Sequence, residues 1–480
     1  MNNRKVLTNL LWRFAERSGA QIVKFIVELI LARLLLPDDY GLIALVTVFI
    51  TISNVFVDSG LGNALIQKKD ADQTDFSTVF FFNVIWCVVL YGFIFCIAPY
   101  ISKFFSQPEF TAVLRVLGLQ IIISGVKNVQ QAYVSKNFMF KKFFFATLGG
   151  TIGAAIIGIW MAYHGAGVWA LVAQQLFNVM TDTIILWSTV KWRPSKVFSW
   201  ERFKGLFSYG WKLLASSLLE AIYNNIRQLI IGRIYSSGDL AFYNRGKQFP
   251  DFITSNVNSS IDSVLLPTLA SVQDKKDQVK TITRRAIKMS TYLMAPLMIG
   301  LASVAEPMIR VILTDKWIPA LPYLRIFCIT FMFYPLHTAN LNAIKALGRS
   351  DLFLRLEIIK KIVGIIVLLL TMNLGVLVMA YSLLFTTLTS QVINSWPNRK
   401  LLQYGYLEQI KDIIPNILLA CVMGGIVYPI KYIHLNNIVI LLIQICVGVS
   451  VYLLGSYIFR LESFRFILRI ILSYVKRRSN

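Results

Sequence analysis

Arg13, Arg17, Gln21, Lys24 and Glu28 follow one another at steps of 4, 4, 3 and 4. They lie in RFAERSGAQIVKFIVELILARLLLPDDYG (13–41), a stretch otherwise apolar enough to cross a membrane. On a helix those steps keep side chains on one face, so the charges form a stripe. Lys212, Ser216, Glu220, Tyr223 and Arg227 repeat the same steps. Thr47, Thr51, Asn54 and Asp58 follow steps of 4, 3 and 4 and are matched by Asp251, Ser255, Asn258 and Asp262. A charge at the bilayer centre costs about 2.5 to 3.5 kcal/mol on insertion scales. The four stripes are therefore expected to turn away from lipid toward a shared hydrated space, where water and opposite charges offset the desolvation.

Bidentate guanidinium groups and point-charge lysines in such a space suit an anionic head group, phosphate or diphosphate. The candidate substrate-binding cations are Arg17, Lys24, Arg33, Arg227, Arg233, Arg245 and Lys247. The competing reading is that the charges only pair with one another, Arg17 with Glu16 and Lys24 with Glu28, and hold helices together. Against it, Arg13, Arg17, Lys24, Lys127, Arg227, Arg245 and Lys247 outnumber Glu16, Glu28, Asp58, Glu220, Asp251 and Asp262, though only by one.

Stepping outward from the stripes, the 480 residues are 56% hydrophobic and only 15% charged, with mean hydropathy +0.62. A soluble protein carries roughly 25% charged residues, so this is a membrane chain. Spans of about 20 apolar residues are expected near 10–34, 42–66, 78–100, 111–134, 143–163, 168–190, 206–234, 248–272, 289–313, 322–344, 354–373, 376–396, 412–431 and 438–459. Connections of one parity hold thirty Lys and Arg, and those of the other hold only Lys103, Lys316 and Lys431. The basic loops belong on the cytoplasmic side, which places both termini there and accounts for most of the +24 net charge without a nucleic-acid partner.

No connection is long enough for a soluble catalytic domain on either face. No catalytic residue, metal set or cofactor motif is found. Cys87, Cys96, Cys328, Cys421 and Cys446 lie in apolar runs without metal or disulfide spacing, and His164, His337 and His434 are scattered. The first apolar run is too long for a signal peptide, so the N-terminus is expected to be retained. Gly149, Gly153 and Gly158 give one span a close-packing face, and Pro37, Asp38 and Asp39 suggest a turn with capping carboxylates. The tail from residue 460, with Arg465, Arg469, Lys476, Arg477 and Arg478, has the pattern of an amphipathic helix on anionic lipids.

The stripes are one sign of an internal duplication. IVELILARLLLPDD (26–39) aligns without gaps on IRQLIIGRIYSSGD (226–239), and GAGVWALVAQQL (165–176) lies against NLGVLVMAYSLL (373–384). The expected fold is all-α and integral to the membrane: about fourteen helices, in a six-helix lobe over 1–195, a second over 196–400, two further helices over 401–459 and the basic tail over 460–480. Each lobe has an even number of spans, so the repeats run parallel, with a cavity between them.

ARLLLPDDYGLIAL (32–45), VDSGLGNALIQKKD (57–70) and SYGWKLL (208–214), set in this topology, resemble the polysaccharide flippases (O-antigen, Wzx-like) of the multidrug/oligosaccharidyl-lipid/polysaccharide exporter superfamily. That resemblance implies alternating-access movement of undecaprenyl-diphosphate-linked oligosaccharide to the outer leaflet of a bacterial inner membrane, beside other polysaccharide-assembly proteins. Under it, Glu28, Asp58, Glu220 and Asp262 become candidates for coupling to protons or sodium. Two other readings stand beside it. One is a cation-coupled exporter of small molecules, for which more acids would be expected. The other is a membrane glycosyltransferase or polymerase using Asp38 and Asp39, for which a larger external region would be expected.

Overall fold

The computed structural model describes residues 3–58 and 60–469, with side chains from Gly19 onward. Helices α1 (Asn3–Leu34), α2 (Pro37–Asp58), α3 (Leu61–Gln67), α4 (Gln73–Phe105), α5 (Glu109–Lys136), α6 (Phe140–Tyr163), α7 (Val168–Thr189), α8 (Trp200–Ile234) and α9 (Ser237–Ala270) come first. They are followed by α10 (Lys276–Ile312), α11 (Leu321–Met332), α12 (Tyr334–Ala346), α13 (Ser350–Thr371), α14 (Val376–Leu401), α15 (Tyr406–Val427) and α16 (Asn437–Ile458), with no strand among the described residues. Nine helical stretches of the described residues are long and apolar enough to cross a membrane; the chain is an α-helical, multi-pass membrane protein. Helices α8, α9 and α10 start well before their apolar segments, at Trp200, Ser237 and Lys276. Backbone hydrogen bonding carries a helix past the point where hydrophobicity alone would stop it.

Two compact units divide the chain, Met1–Ala241 and Phe242–Asn480. In unit 1, α6 lies on α7 through its glycines. A Cβ on Gly150 would come 3.0 Å from the Asn178 carbonyl, and one on Gly158 2.9 Å from the Gln174 Cβ. Lipid offers apolar helices no hydrophobic reason to associate, so such close backbone approach supplies the van der Waals attraction instead. Helix α2 packs along α8 in the same manner. Gly60, at φ 68°, opens α3 in the left-handed region, where glycine alone is unstrained. A Cβ there would also stand 2.3 Å from the Gly210 carbonyl.

The turn into α2 is capped. Leu36 N–H donates to Asp39 Oδ2 at 3.0 Å, and at the matching turn of the repeat Ser236 N–H donates to Asp239 Oδ2 at 3.2 Å. Asp39 thus takes the capping role that its place before a helix suggested.

One end of unit 1 is an aromatic core of Phe76, Phe143, Trp192 and Phe203 with Leu61 and Val129. Asp72 and Asp75 close a reciprocal capping box at the start of α4, joined by Arg202 at 2.5 Å from Asp72 and Lys68 at 2.7 Å from Asp75. The Asp75 N–H and the Arg202 guanidinium hold the Asp72 carboxyl down at about 2. The extended connector after α7 is fastened to α4: Ser195 N–H donates to Ser77 Oγ at 2.9 Å, Ser199 N–H to Thr78 Oγ1 at 3.1 Å and Trp192 Nε1–H to Gln73 Oε1 at 2.6 Å.

Unit 2 is built around α10, which packs on α11, α12, α15 and α16. Three buried amides join α12, α14 and α15: Asn398 and Gln409 both donate to Asn340 Oδ1, at 2.7 and 2.9 Å. At its basic end Arg284 and Lys288 meet Asp412 at 2.7 and 3.2 Å. Residues 462–469 are helical and are held to α10 by Lys288 with Glu462, 2.7 Å apart, and by Arg285 over Phe466. The remainder of the basic tail, with Lys476, Arg477 and Arg478, lies outside the described residues.

Candidate functional site

The polar stripes occupy accessible sides of their helices. On α1, Lys24 is exposed between half-buried Gln21 and Glu28; on α8, Lys212, Ser216 and Glu220 are exposed and Tyr223 and Arg227 half-buried. On α2, Thr51 and Asp58 are exposed, and on α9 so are Asp251, Ser255 and Asp262. A helix whose charges served only to fasten it to neighbours within its own unit would bury them. Lys24 on α1 and Lys212, Ser216 and Glu220 on α8 are instead exposed.

Not every candidate is placed alike. The side chains of Arg13, Glu16 and Arg17 lie outside the described residues. Lys24 stands 3.8 Å from Glu28 and is 68% exposed, so it can reach a ligand while keeping a loose intrahelical partner. Arg33 is exposed in the last turn of α1. Arg233, its repeat, lays its guanidinium 4.7 Å above the Phe104 ring and is exposed. Lys247 is half-buried. Arg245 differs from all of these: it is 5% exposed, packed 4.8 Å over Trp317 and donating to Gln248 Oε1 at 2.5 Å. Its surroundings suit a packing cation.

Among the acids, Asp58 accepts from Asn128 Nδ2 at 2.8 Å, and Asp262 accepts from Asn342 Nδ2 at the same 2.8 Å. The two matching stripe acids thus make the same hydrogen bond, which the spacing of the stripes did not display. Beside Asn128, Lys127 pairs with Asp182 at 2.9 Å, the two side chains being 15% and 12% exposed. Lys127 also acts electrostatically on Asp58. Asp182 was missed as a candidate because it stands singly in an apolar span; a lone acid there was the available signal. On α13, Glu357 and Lys360 also pair, at 2.6 Å.

Chemically, unit 1 offers accessible cations on α1 and α8 together with a carboxylate–lysine cluster on α2, α5 and α7. That arrangement can bind and release charged groups. Among the described residues no group of His, Cys, Asp and Glu is placed to hold a metal.

Comparison with known proteins agrees with this fold. The chain is 26% identical over 305 residues to the teichuronic acid biosynthesis protein TuaB of Bacillus subtilis (strain 168), covering 62% of either chain. It is 24% identical over 331 residues to the succinoglycan biosynthesis transport protein ExoT of Rhizobium meliloti (strain 1021), covering 69% of this chain and 67% of that one. Among solved structures, the lipid II flippase MurJ in its inward closed conformation has the same fold, with a TM-score of 0.77 at 14% identity over 95% of this chain and all of that one. The family model described as polysaccharide biosynthesis protein matches residues 30–322, and the chain belongs to that family.

Proposed function

We propose that this protein is a flippase of the multidrug/oligosaccharidyl-lipid/polysaccharide exporter superfamily. It carries undecaprenyl-diphosphate-linked oligosaccharide units across the bacterial inner membrane by alternating access, for surface polysaccharide or lipopolysaccharide assembly. The observation that carries this reading is the accessible polar stripe on helices α1 and α8 of a chain that is otherwise apolar. Its fold and family membership support it. Helices α1, α7, α8, α9 and α13 cross the membrane with the nine more apolar stretches, giving fourteen crossings with both termini cytoplasmic. The repeats are 1–195 and 196–400, followed by the two helices of 401–459, and the tail from 460 rests on anionic lipid.

In this reading Lys24, Arg33, Arg227 and Arg233, with Arg17 and Lys247, receive the diphosphate, for which guanidinium forks and lysine point charges are suited. Arg245 orders its neighbourhood through Trp317. Glu28, Asp58, Glu220 and Asp262 are the acids available for ion coupling, and other membrane proteins of polysaccharide assembly work beside it.

The test is reconstitution of the full chain in vesicles with a labelled lipid-linked oligosaccharide on one leaflet. Movement of label to the other leaflet is expected, with Arg227→Glu slowing it at least tenfold at unchanged protein abundance. No movement in the unaltered protein would remove the reading.

A further inference from the structure

Cations also converge at the end of α10 opposite its basic one. Glu306 and Arg310, in the last two turns of α10, pair at 3.4 Å, and Arg310 pairs again with Asp315 in the turn that follows. Lys431 lies in the short helical turn Tyr428–Tyr432 between α15 and α16. It reaches Glu306 at 2.9 Å and donates to the Tyr428 hydroxyl at 3.0 Å. Arg325 on α11 lays its guanidinium 5.4 Å over the same Tyr428 ring. Its Nε donates to the Ala302 carbonyl at 3.4 Å, and its Nη2 is buried with no hydrogen-bond partner among the described residues.

We infer that Arg325, Tyr428 and Lys431 form a binding site in unit 2 for one phosphate group, separate from the stripes on α1 and α8. Arg325 Nη2 has a hydrogen to give. Lys431 has three N–H groups, of which Glu306 and Tyr428 take two, and the Tyr428 hydroxyl accepts from Lys431 while keeping its own proton to donate. A tetrahedral phosphate presents acceptors in several directions, which suits a guanidinium, an ammonium and a phenol brought by three different elements. The linked side chains count three cations, Arg310, Arg325 and Lys431, against two acids, Glu306 and Asp315. Lys431 is only 13% exposed, so the surplus positive charge is partly desolvated and costly. A single phosphodiester charge balances it.

Unit 1 shows what an arginine does when it only packs. Arg115 on α5 donates from Nε to the Phe95 carbonyl at 3.1 Å, with its guanidinium 4.0 Å over the Phe95 ring. Phenylalanine gives that arginine a face and no hydroxyl, whereas Tyr428 joins Arg325 to Lys431. In the proposed orientation this end of unit 2 faces outward, where lysine works against correct insertion. Lys431 is one of only three lysines in the connections of that side, with Lys103 and Lys316, and a cation kept against the bias has a use there. Beside it Tyr432 is 68% exposed, its ring 4.8 Å from the Lys431 ammonium, as an amphipathic ring is at the level of lipid head groups. A lipid head group and free phosphate offer this site the same chemistry.

The test is the thermal unfolding midpoint of the full chain in an uncharged detergent. It is titrated with dioctanoyl phosphatidylglycerol against dioctanoylglycerol, which lacks the phosphate, and separately with sodium phosphate against sodium chloride at equal ionic strength. The midpoint is expected to rise above its control. A rise with the phospholipid alone assigns the site to a lipid head group, and a rise with inorganic phosphate assigns it to the free anion as well. Arg325→Gln and Lys431→Gln should each move the half-maximal response about tenfold toward higher concentration. Glu306→Gln removes a competing acid and should move it about threefold toward lower concentration, a gain that misfolding cannot imitate. Arg285→Gln, at the basic end of α10, should leave it in place. No rise over either control, a half-maximal concentration unmoved by Arg325→Gln or by Lys431→Gln, one moved as far by Arg285→Gln, or a weaker response in Glu306→Gln would each overturn the site. The titration uses no lipid-linked oligosaccharide, so flipping by the unaltered protein stands or falls as a separate result.

Discussion

Asp58 in unit 1 and Asp262 in unit 2 make the same hydrogen bond to an asparagine, at the same 2.8 Å, yet their electrical settings differ. Asp58 lies within electrostatic reach of Lys127, which itself pairs with Asp182; the matching lysine position in unit 2 is Leu341. The two units therefore share a contact that positions a helix end while the charge around it differs.

The largest effect that tests this contrast is Lys127→Met. It should destabilise unit 1 by about 3 kcal/mol, the low end for breaking a buried ion pair. Leu341→Met, a volume-conserving change, should cost under about 1.5 kcal/mol. Equal losses in equilibrium unfolding in mixed micelles would erase the distinction between the units.

Next in size come the shared bonds. Asn128→Ala and Asn342→Ala should each cost about 1.5 to 3 kcal/mol, as hydrogen bonds to charged groups do, in the same unfolding assay. Similar values sharpen the claim that the contact itself is common to both copies. A smaller contrast separates two arginines that the sequence ranks alike. Arg245→Ala should cost about 2 kcal/mol, because its cation–aromatic contact with Trp317 is desolvated, and Arg233→Ala, at an exposed ring, about 0.5 to 1 kcal/mol.

The smallest effect is that of pH on the loops. Asp72 is held at about 2 by the Asp75 N–H and Arg202, and Asp351 at about 2 by Arg349. A depressed carboxylate contributes stability that is complete above its unfolded value, about 3.9, and is lost as pH falls through about 2. Asp72→Asn and Asp351→Asn should therefore not change the slope of stability with pH between 5 and 8. A slope altered by either change would contradict these assignments.

The long helices were legible because hydrophobic runs and basic loops record them directly, and the stripes because a 4, 4, 3, 4 spacing survives duplication. Asp39 was legible too, since a carboxylate at the start of a helix has a common use in closing its first turn. Partner choice was not. Lys127 and Asp182 are 55 residues apart on different helices, brought together by the packing of α5 on α7, and no one-dimensional periodicity encodes that. Arg245 shared the type of its fellow candidates, but burial against Trp317 is set by the chain that follows it. The starts of α8, α9 and α10 lie earlier than hydropathy indicates because polar residues extend a helix without adding to its hydropathy.

The fastened connector between Val190 and Ser199 bears on where the chain can be split into two polypeptides. Its seryl and indole attachments to α4 mean that a cut or an inserted epitope there would loosen the first fragment itself. Gly348, in a left-handed turn with open space around it, is the better site for a tag or a protease sequence.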